Sequence, residues 1–276
     1  MTRCTLFFTL LATSNAFGDP VPVSDPSNRG GWTLIESVSD EFNGDSLDLT
    51  KWNNLGLDGN YYNEWKGRAP SQFNPANVTV ANGNLTIASR WDPDFQFSET
   101  PLKGVPYGKA APVTTGSIVS KAMFKHGYLE MRCKAAAGPV SSSFWTTGIG
   151  GEIDVFEHFG ENPTNSNSAF RYNTSFHDWR KGSPHFGTRI WENDHHLNFK
   201  VADDFHTYGL EWDPDFLRIY IDGRLINTVT RQQLGNQWVA TNEQKVWIDS
   251  ETFDWEMNPA LLKAEHFKNS PRFVVD

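Results

Sequence analysis

Hydrophobic and polar residues alternate with a period of two along most of this chain, and no long run shows the 3.6-residue period of a helix. Residues 77–80 and 85–87 alternate on either side of Asn82-Gly83, a pair that predicts a tight hairpin. Residues 115–121 and 127–134 predict two more strands. In the second, Leu129, Met131 and Cys133 share one face, and Tyr128, Glu130, Arg132 and Lys134 share the other. Glu130 and Arg132 read as an ordinary same-face pair. Residues 205–226 predict a three-strand meander, turned at Asp213-Pro214-Asp215 and Asp222-Gly223. Residues 245–255 predict a strand running into a loop. Residues 91–113 are rich in Pro, Gly and polar residues without a period, and are expected to form an active-site loop. Many short strands without internal repeats predict an all-β sandwich.

One stretch carries candidate chemistry. Gly150-Gly151-Glu152-Ile153-Asp154-Val155-Phe156-Glu157-His158 places three carboxylates among β-branched and aromatic residues, the composition of a strand. Glu152 and Asp154, two apart, point to one face. Glu157 stands at an odd offset from Glu152 and points away unless a one-residue bulge near Val155–Phe156 restores the register. Carboxylates gathered on one face repel, which raises at least one pKa and makes the group titrate as a unit. A retaining glycosidase needs such a pair, one ionised as nucleophile and one protonated as acid. A solvated acidic strand face and a cation site are the alternatives on spacing alone.

The net charge of −9 argues against nucleic acid and anionic membranes as partners. Eleven Trp and 20 Phe suit sugar stacking as well as an aromatic core. Residues 1–18 read as a secretory signal: Arg3, an apolar run from Cys4 to Ala12, and small residues Ala16 and Gly18 for cleavage before Asp19. The protein is therefore expected to be secreted, extracellular or periplasmic, and not embedded in a membrane. Loss of Cys4 leaves Cys133 alone, which reads as a small core residue. Residues 19–30 read as a linker or loose N-terminal arm, and the folded domain is expected over 31–276.

The sequence Glu152-Ile153-Asp154-Val155-Phe156-Glu157 resembles the E-[IL]-D-x-x-E signature of glycoside hydrolase family 16, in the bulged form of agarases, porphyranases, carrageenases and laminarinases. Other segments are similar to the same family. They include Asp40-Glu41-Phe42 with Lys51-Trp52, Trp65–Pro70, Gly127-Tyr128 with Glu130 and Arg132, and Phe205–Trp212 with Asp222-Gly223. The resemblance spans residues 31–276. It implies a jelly-roll β-sandwich with a sugar cleft on the concave sheet. Its implied roles are Glu152 as nucleophile, Asp154 as helper and Glu157 as acid/base.

The resemblance also implies substrate contacts. Trp65 and Arg68 lie in a W-x-G-R-A loop, Trp65 to stack on galactose and Arg68 to meet a hydroxyl or sulfate oxygen. A Trp capping the sandwich edge beneath an Arg is the alternative. Trp145 matches the cleft Trp. Porphyranases carry an Arg shortly after it, whereas Thr146 and Thr147 stand here. His177 is a candidate to contact sugar or tune Glu157, unless it is a satisfied structural histidine. Arg171, Trp179 and Arg180 are expected to form a basic, aromatic cluster suited to an anionic galactan. Glu251 and Trp255 lie in a D-x-E-x-F-x-W run facing the cleft. No cofactor is expected for catalysis. A structural calcium is carried over to Glu41, Gly83 and Asp276. The family's final strand runs further than Asp276, so its end is expected to be missing. The function expected is endo-acting retaining hydrolysis of β-1,4 linkages in a red-algal galactan, agarose or porphyran, by a monomer. Carrageenan, furcellaran, a β-1,3-glucan, transglycosylation, or a silent lectin are the alternatives.

Overall fold

The computed structural model describes residues 20–57, 59, 60 and 65–276. The signal-like segment lies outside the described residues. Seventeen strands among the described residues form three sheets. The first runs β1 (Trp52–Asn53), β7 (Ser117–Ser120), β16 (Gln244–Asp249), β9 (Ser142–Gly148), β10 (Gly151–His158), β11 (Arg171–Asp178), β12 (Thr188–His196). The second runs β15 (Arg224–Thr230), β14 (Phe216–Ile221), β13 (His206–Trp212), β8 (Gly127–Lys134), β17 (Arg272–Val275), β4 (Asn84–Ala88), β3 (Val78–Ala81). A small third sheet joins β2 (Gln72–Phe73), β6 (Val113–Thr115) and β5 (Arg90–Trp91).

The strands follow from the alternation. In β8, Leu129, Met131 and Cys133 are buried while Tyr128, Glu130, Arg132 and Lys134 turn outward. The β3–β4 hairpin turns at Asn82 and Gly83, both at positive φ (54° and 75°), and β14–β15 turns the same way at Asp222 and Gly223. Two successive left-handed residues give a turn whose twist matches that of the strands, and Asn, Asp and Gly tolerate it best.

The two large sheets face each other across one aromatic core. Phe156 of β10 meets Tyr208 of β13 at 4.0 Å between ring centroids, Tyr172 of β11 at 5.4 Å and Phe273 of β17 at 6.4 Å. Burial of such side chains is the main favourable term in folding, about 25 cal/mol per Å² of apolar surface. Cys133 is buried in this core, as expected.

Two local expectations change. Residues 20–30 are docked rather than loose. The Val23 N–H donates to the Glu130 carboxylate, Asp25 accepts from the N–H groups of Arg29 and Gly30, and Trp32 packs edge-on against Tyr128 at 5.7 Å. Arg132 accordingly pairs with Asp276 and not with Glu130. Residues 91–113 support a cleft wall from behind. The Lys66 ammonium reaches Ser98 Oγ at 3.1 Å, and the Tyr107 hydroxyl donates to the Gly67 carbonyl at 2.9 Å.

Candidate active site

The bulge in β10 is present, and it is what gathers the carboxylates. On one side Asp154 pairs with Ser175 and Glu157 with Asn173, so three steps along β10 match two along β11. On the other, Asp154 pairs with Trp145 and Phe156 with Phe144, which places the extra residue at Val155. Ile153, Val155 and Phe156 all turn into the core, at 0%, 1% and 0% exposure. Two consecutive inward residues are possible only because the ladder slips there. Glu152, Asp154 and Glu157 are left together on the opposite face.

Neighbouring strands complete this face. The Trp179 indole N–H donates to Glu152 Oε2 at 3.1 Å. The Ser175 hydroxyl donates to Asp154 Oδ2 at 2.5 Å, and His177 Nε2 lies 3.1 Å from that oxygen and 3.8 Å from Glu152 Oε1. His177 and Trp179 stack nearly parallel, 8° apart at 6.0 Å. His177 therefore serves Asp154 and Glu152, not Glu157. Trp145 stacks on Trp247 of β16 at 4.9 Å, and its indole N–H donates to Asp249 at 2.9 Å. In register, a row runs across five strands from Glu192 through Ser175, Asp154 and Trp145 to Trp247.

A second wall comes from two loops latched together. The Thr252 N–H donates to Ser71 Oγ at 3.0 Å, and the two hydroxyls are also 3.0 Å apart. The latch fixes Arg68 against Glu251, with Nε 3.5 Å from Oε2. The guanidinium lies 4.7 Å from the ring centres of both Phe253 and Trp255 and 5.7 Å from Trp65. Trp65, Arg68, Glu251 and Trp255 thus come together, although the family resemblance had offered them as two separate segments.

Arg171 and Arg180 do not form a cluster with Trp179. They sit at opposite ends of β11, because an extended strand separates residues 171 and 178 by about 23 Å at 3.3 Å per residue. Arg171 pairs with Glu256 and Asp194. Arg180 makes a two-pronged contact with Asp178 and also reaches the Asn236 carbonyl at 2.9 Å. Trp179 alone of the three stands beside the carboxylates.

The electrostatics order the carboxylates. Burial, then the Asp154 charge, pushes Glu152 up to about 8, while His177, the Trp179 N–H and Arg68 pull it back. Burial, then Asp154, Glu152 and Asp249, holds Glu157 well above the usual carboxylate range, with only Arg68 among its main influences opposing. Burial alone lowers His177, but the Asp154 hydrogen bond and the charges of Asp154 and Glu152 outweigh it and raise the imidazole. Glu152, with more donors around it, gives up its proton before Glu157. Buried Asp249 is raised by burial and by Glu251.

Sequence reasoning missed Ser175, Asp249, Trp247 and the Ser71–Thr252 latch. Ser175 shares the outward face with His177 two residues on, but only the register sets it opposite Asp154. Asp249 had a usable signal, since it alternates with Glu251 and Trp247.

The calcium residues lie elsewhere. Glu41 and Asp276 line one cavity beside β8, and Gly83 abuts Asn43. Hard oxygens suit Ca²⁺ in kind, and one oxygen of the Asp276 carboxylate is engaged by Arg132.

β-Porphyranase B of Phocaeicola plebeius is 28% identical over 256 residues, covering 82% of this chain and 76% of that protein. β-Porphyranase B of Zobellia galactanivorans is 29% identical over 250 residues, covering 80% and 78%. Among solved structures, a β-porphyranase from the human gut bacterium Bacteroides plebeius superposes with a TM-score of 0.65 at 26% identity over 88% and 89% of the two chains. A β-agarase A in complex with oligoagarose superposes at 0.72 with 23% identity over 92% and 94%. The family model described as "Beta-porphyranase A-D, GH16 domain" matches residues 32–274, so the chain belongs to this branch of glycoside hydrolase family 16 and is a jelly-roll glycoside hydrolase of porphyranase-like type.

Proposed function

We propose that the protein is an exported, monomeric, endo-acting retaining hydrolase of β-1,4 linkages in a red-algal galactan, agarose or porphyran. The observation that carries this reading is the Val155 bulge, which puts a more easily ionised Glu152 and a proton-holding Glu157 on one face with Asp154 between them. Glu157 protonates the departing glycosidic oxygen while the ionised Glu152 attacks the anomeric carbon. Glu157, now a carboxylate, takes a proton from water, which releases the sugar from Glu152 and regenerates both groups. Asp154, held by Ser175 and His177, fixes the charge balance between them. Trp145, backed by the buried Trp247, gives a half-buried ring for sugar stacking, and Trp65, Arg68, Glu251 and Trp255 a second contact zone. Trp179 and His177 flank Glu152 on the other side. Arg171, tied to two carboxylates, serves to position Glu256. Among the described residues no helix is long and apolar enough to cross a membrane.

The test is reducing-end release with product mass spectrometry on agarose, porphyran, κ-carrageenan and laminarin side by side. Neutral products from agarose or sulfated products from porphyran support the reading. Release only from carrageenan or laminarin moves the substrate class, and release from none points to a silent lectin.

Calcium has at most a structural part, at Glu41, Gly83 and Asp276. Arg132 already supplies positive charge to the Asp276 carboxylate, so a chelator is expected to leave Tm unchanged. A clear drop in Tm with EDTA, reversed by Ca²⁺, would restore that site.

A further inference from the structure

The three carboxylates are not served alike. Glu152 has the Trp179 N–H, and Asp154 has the Ser175 hydroxyl beside His177. What flanks Glu157 is set by register: Asn173 of β11 on one side and Ser143 of β9 on the other. Directly opposite residues share a face, with Cβ atoms about 5 Å apart. The row continues to Asp194 of β12 and Asp249 of β16. Asn173 is 2% exposed and so covered from solvent. Its Nδ2 donates to Asp194 Oδ1 at 3.1 Å. A carboxylate offers only acceptors, so the NH₂ end of the amide faces β12, which turns Oδ1 back toward β10. That oxygen is buried without a hydrogen-bond partner. Such an acceptor is costly to leave unpaired, and the group in register with it is Glu157.

Charge around Glu157 already favours its proton. After burial itself, Asp154 and Glu152 of its own strand and Asp249 of β16 act in that direction, and Arg68 of the loop wall opposes them. His177 of β11 lies against Asp154 and Glu152, and Asp194 of β12 stands one strand beyond Asn173, facing Arg171. Charges act through space without a set direction, whereas a hydrogen bond has one. The buried Ser143 hydroxyl, also without a partner, can donate or accept, so it suits Glu157 in either state. Asn173 Oδ1 can only accept, so it suits Glu157 only while the proton is there. We infer that Asn173 is a positioning residue for the acid/base: its amide oxygen, aimed by Asp194, keeps Glu157 loaded with its proton between turnovers. As the glycosidic bond breaks, charge develops on the leaving oxygen. That oxygen is then a stronger acceptor than a neutral amide, and the Glu157 O–H bond breaks toward it. In the second step a water oxygen bonds to the anomeric carbon as the bond to Glu152 breaks. The water proton goes to Glu157, and the contact with Asn173 re-forms. The inference rests on Glu157 as the acid of the proposed hydrolysis and deepens it, since it names the group that holds that acid ready.

The test is Asn173→Ala, read first without substrate. The Glu157 carboxyl is titrated by ¹³C NMR of glutamate-labelled protein, its signal assigned by its loss in Glu157→Gln. The midpoint is expected to fall by roughly half to one pH unit, the effect of losing one neutral hydrogen bond to the protonated form. The alkaline limb of the pH–rate profile on a galactan should move down with it. Turnover of an aryl glycoside whose leaving group needs no proton should fall less than turnover of the polysaccharide. Asp194→Ala gives a second test at a side chain that is 45% exposed, where a folding defect is not expected. It frees the amide to turn its N–H toward Glu157, which favours the ionised form, so the midpoint should again fall. The double variant should shift no further than Asn173→Ala alone. Additive shifts would mean that Asp194 acts by charge and does not aim the amide, and would overturn the inference. So would an unmoved midpoint with equal losses on both substrates, the mark of a residue that only packs. The substrate-free titration stands apart from turnover: a shifted midpoint in a chain that cleaves no galactan would sink the hydrolase reading and leave the Asn173–Glu157 contact in place.

Discussion

Glu152→Gln is expected to lower kcat/KM on a galactan by about 10³-fold or more, with the sandwich intact. An amide cannot attack the anomeric carbon, yet it keeps the Trp179 N–H as a donor partner. Glu157→Gln is expected to cost about 10²- to 10⁴-fold on a natural linkage. It should cost far less on an aryl glycoside whose leaving group needs no proton, and that contrast separates acid from nucleophile. The pH profile follows from the same arrangement. Activity needs Glu152 ionised and Glu157 protonated, so it is bell-shaped, and Glu157→Gln should erase the alkaline limb. Stability should move oppositely to activity in the Glu152 variant. The folded pKa of Glu152 lies above that of an unfolded glutamate, at about 8. Its proton therefore supports the fold fully below the unfolded value, and that support is lost as pH rises toward about 8. Glutamine carries no such charge, so the Tm of Glu152→Gln should exceed that of wild type by a margin that grows between pH 5 and about 8. A Tm difference that is flat across this range would sink the burial argument. Unreduced turnover would sink the role of Glu152.

Phe156→Ala is expected to destabilise the protein by about 3–5 kcal/mol. Tm should fall by on the order of 10 °C. Phe156 is fully buried and contacts Tyr208, Tyr172 and Phe273, so truncation removes its packing and leaves a cavity between the two sheets. It is also the second inward residue of the bulge. With its anchor gone, β10 loses the reason to keep two consecutive side chains in the core, and Glu157 loses its fixed aim. Activity measured well below the new Tm should therefore fall along with stability. Val80→Ala, in a buried position on the edge strand β3, is the control: it should lower Tm without touching activity. Equal activity losses in both variants would mean that general loosening, and not the bulge, is responsible.

Much of this was legible in the chain itself. Period-two alternation determined the strands and their inward faces. Asn82-Gly83 and Asp222-Gly223 determined two hairpins, because few other pairs tolerate consecutive positive φ. The odd offset from Glu152 to Glu157 determined that a bulge was needed if the carboxylates were to meet, and the resemblance to the family paired Trp65 with Arg68 and Glu251 with Trp255. Tertiary structure decided the rest. Which oxygen His177 serves, which hydroxyl meets Asp154, and which carboxylate balances Arg68 depend on register between strands distant in sequence. Arg171 and Arg180 looked like one basic cluster because they are near in sequence, yet an extended strand holds them apart. Asp25 and Val23 looked like linker, yet backbone hydrogen bonds and Glu130 pin them. Sequence spacing fixes the direction of a side chain along its own strand. What that side chain meets is fixed by the neighbouring strand, and only the folded chain supplies that neighbour.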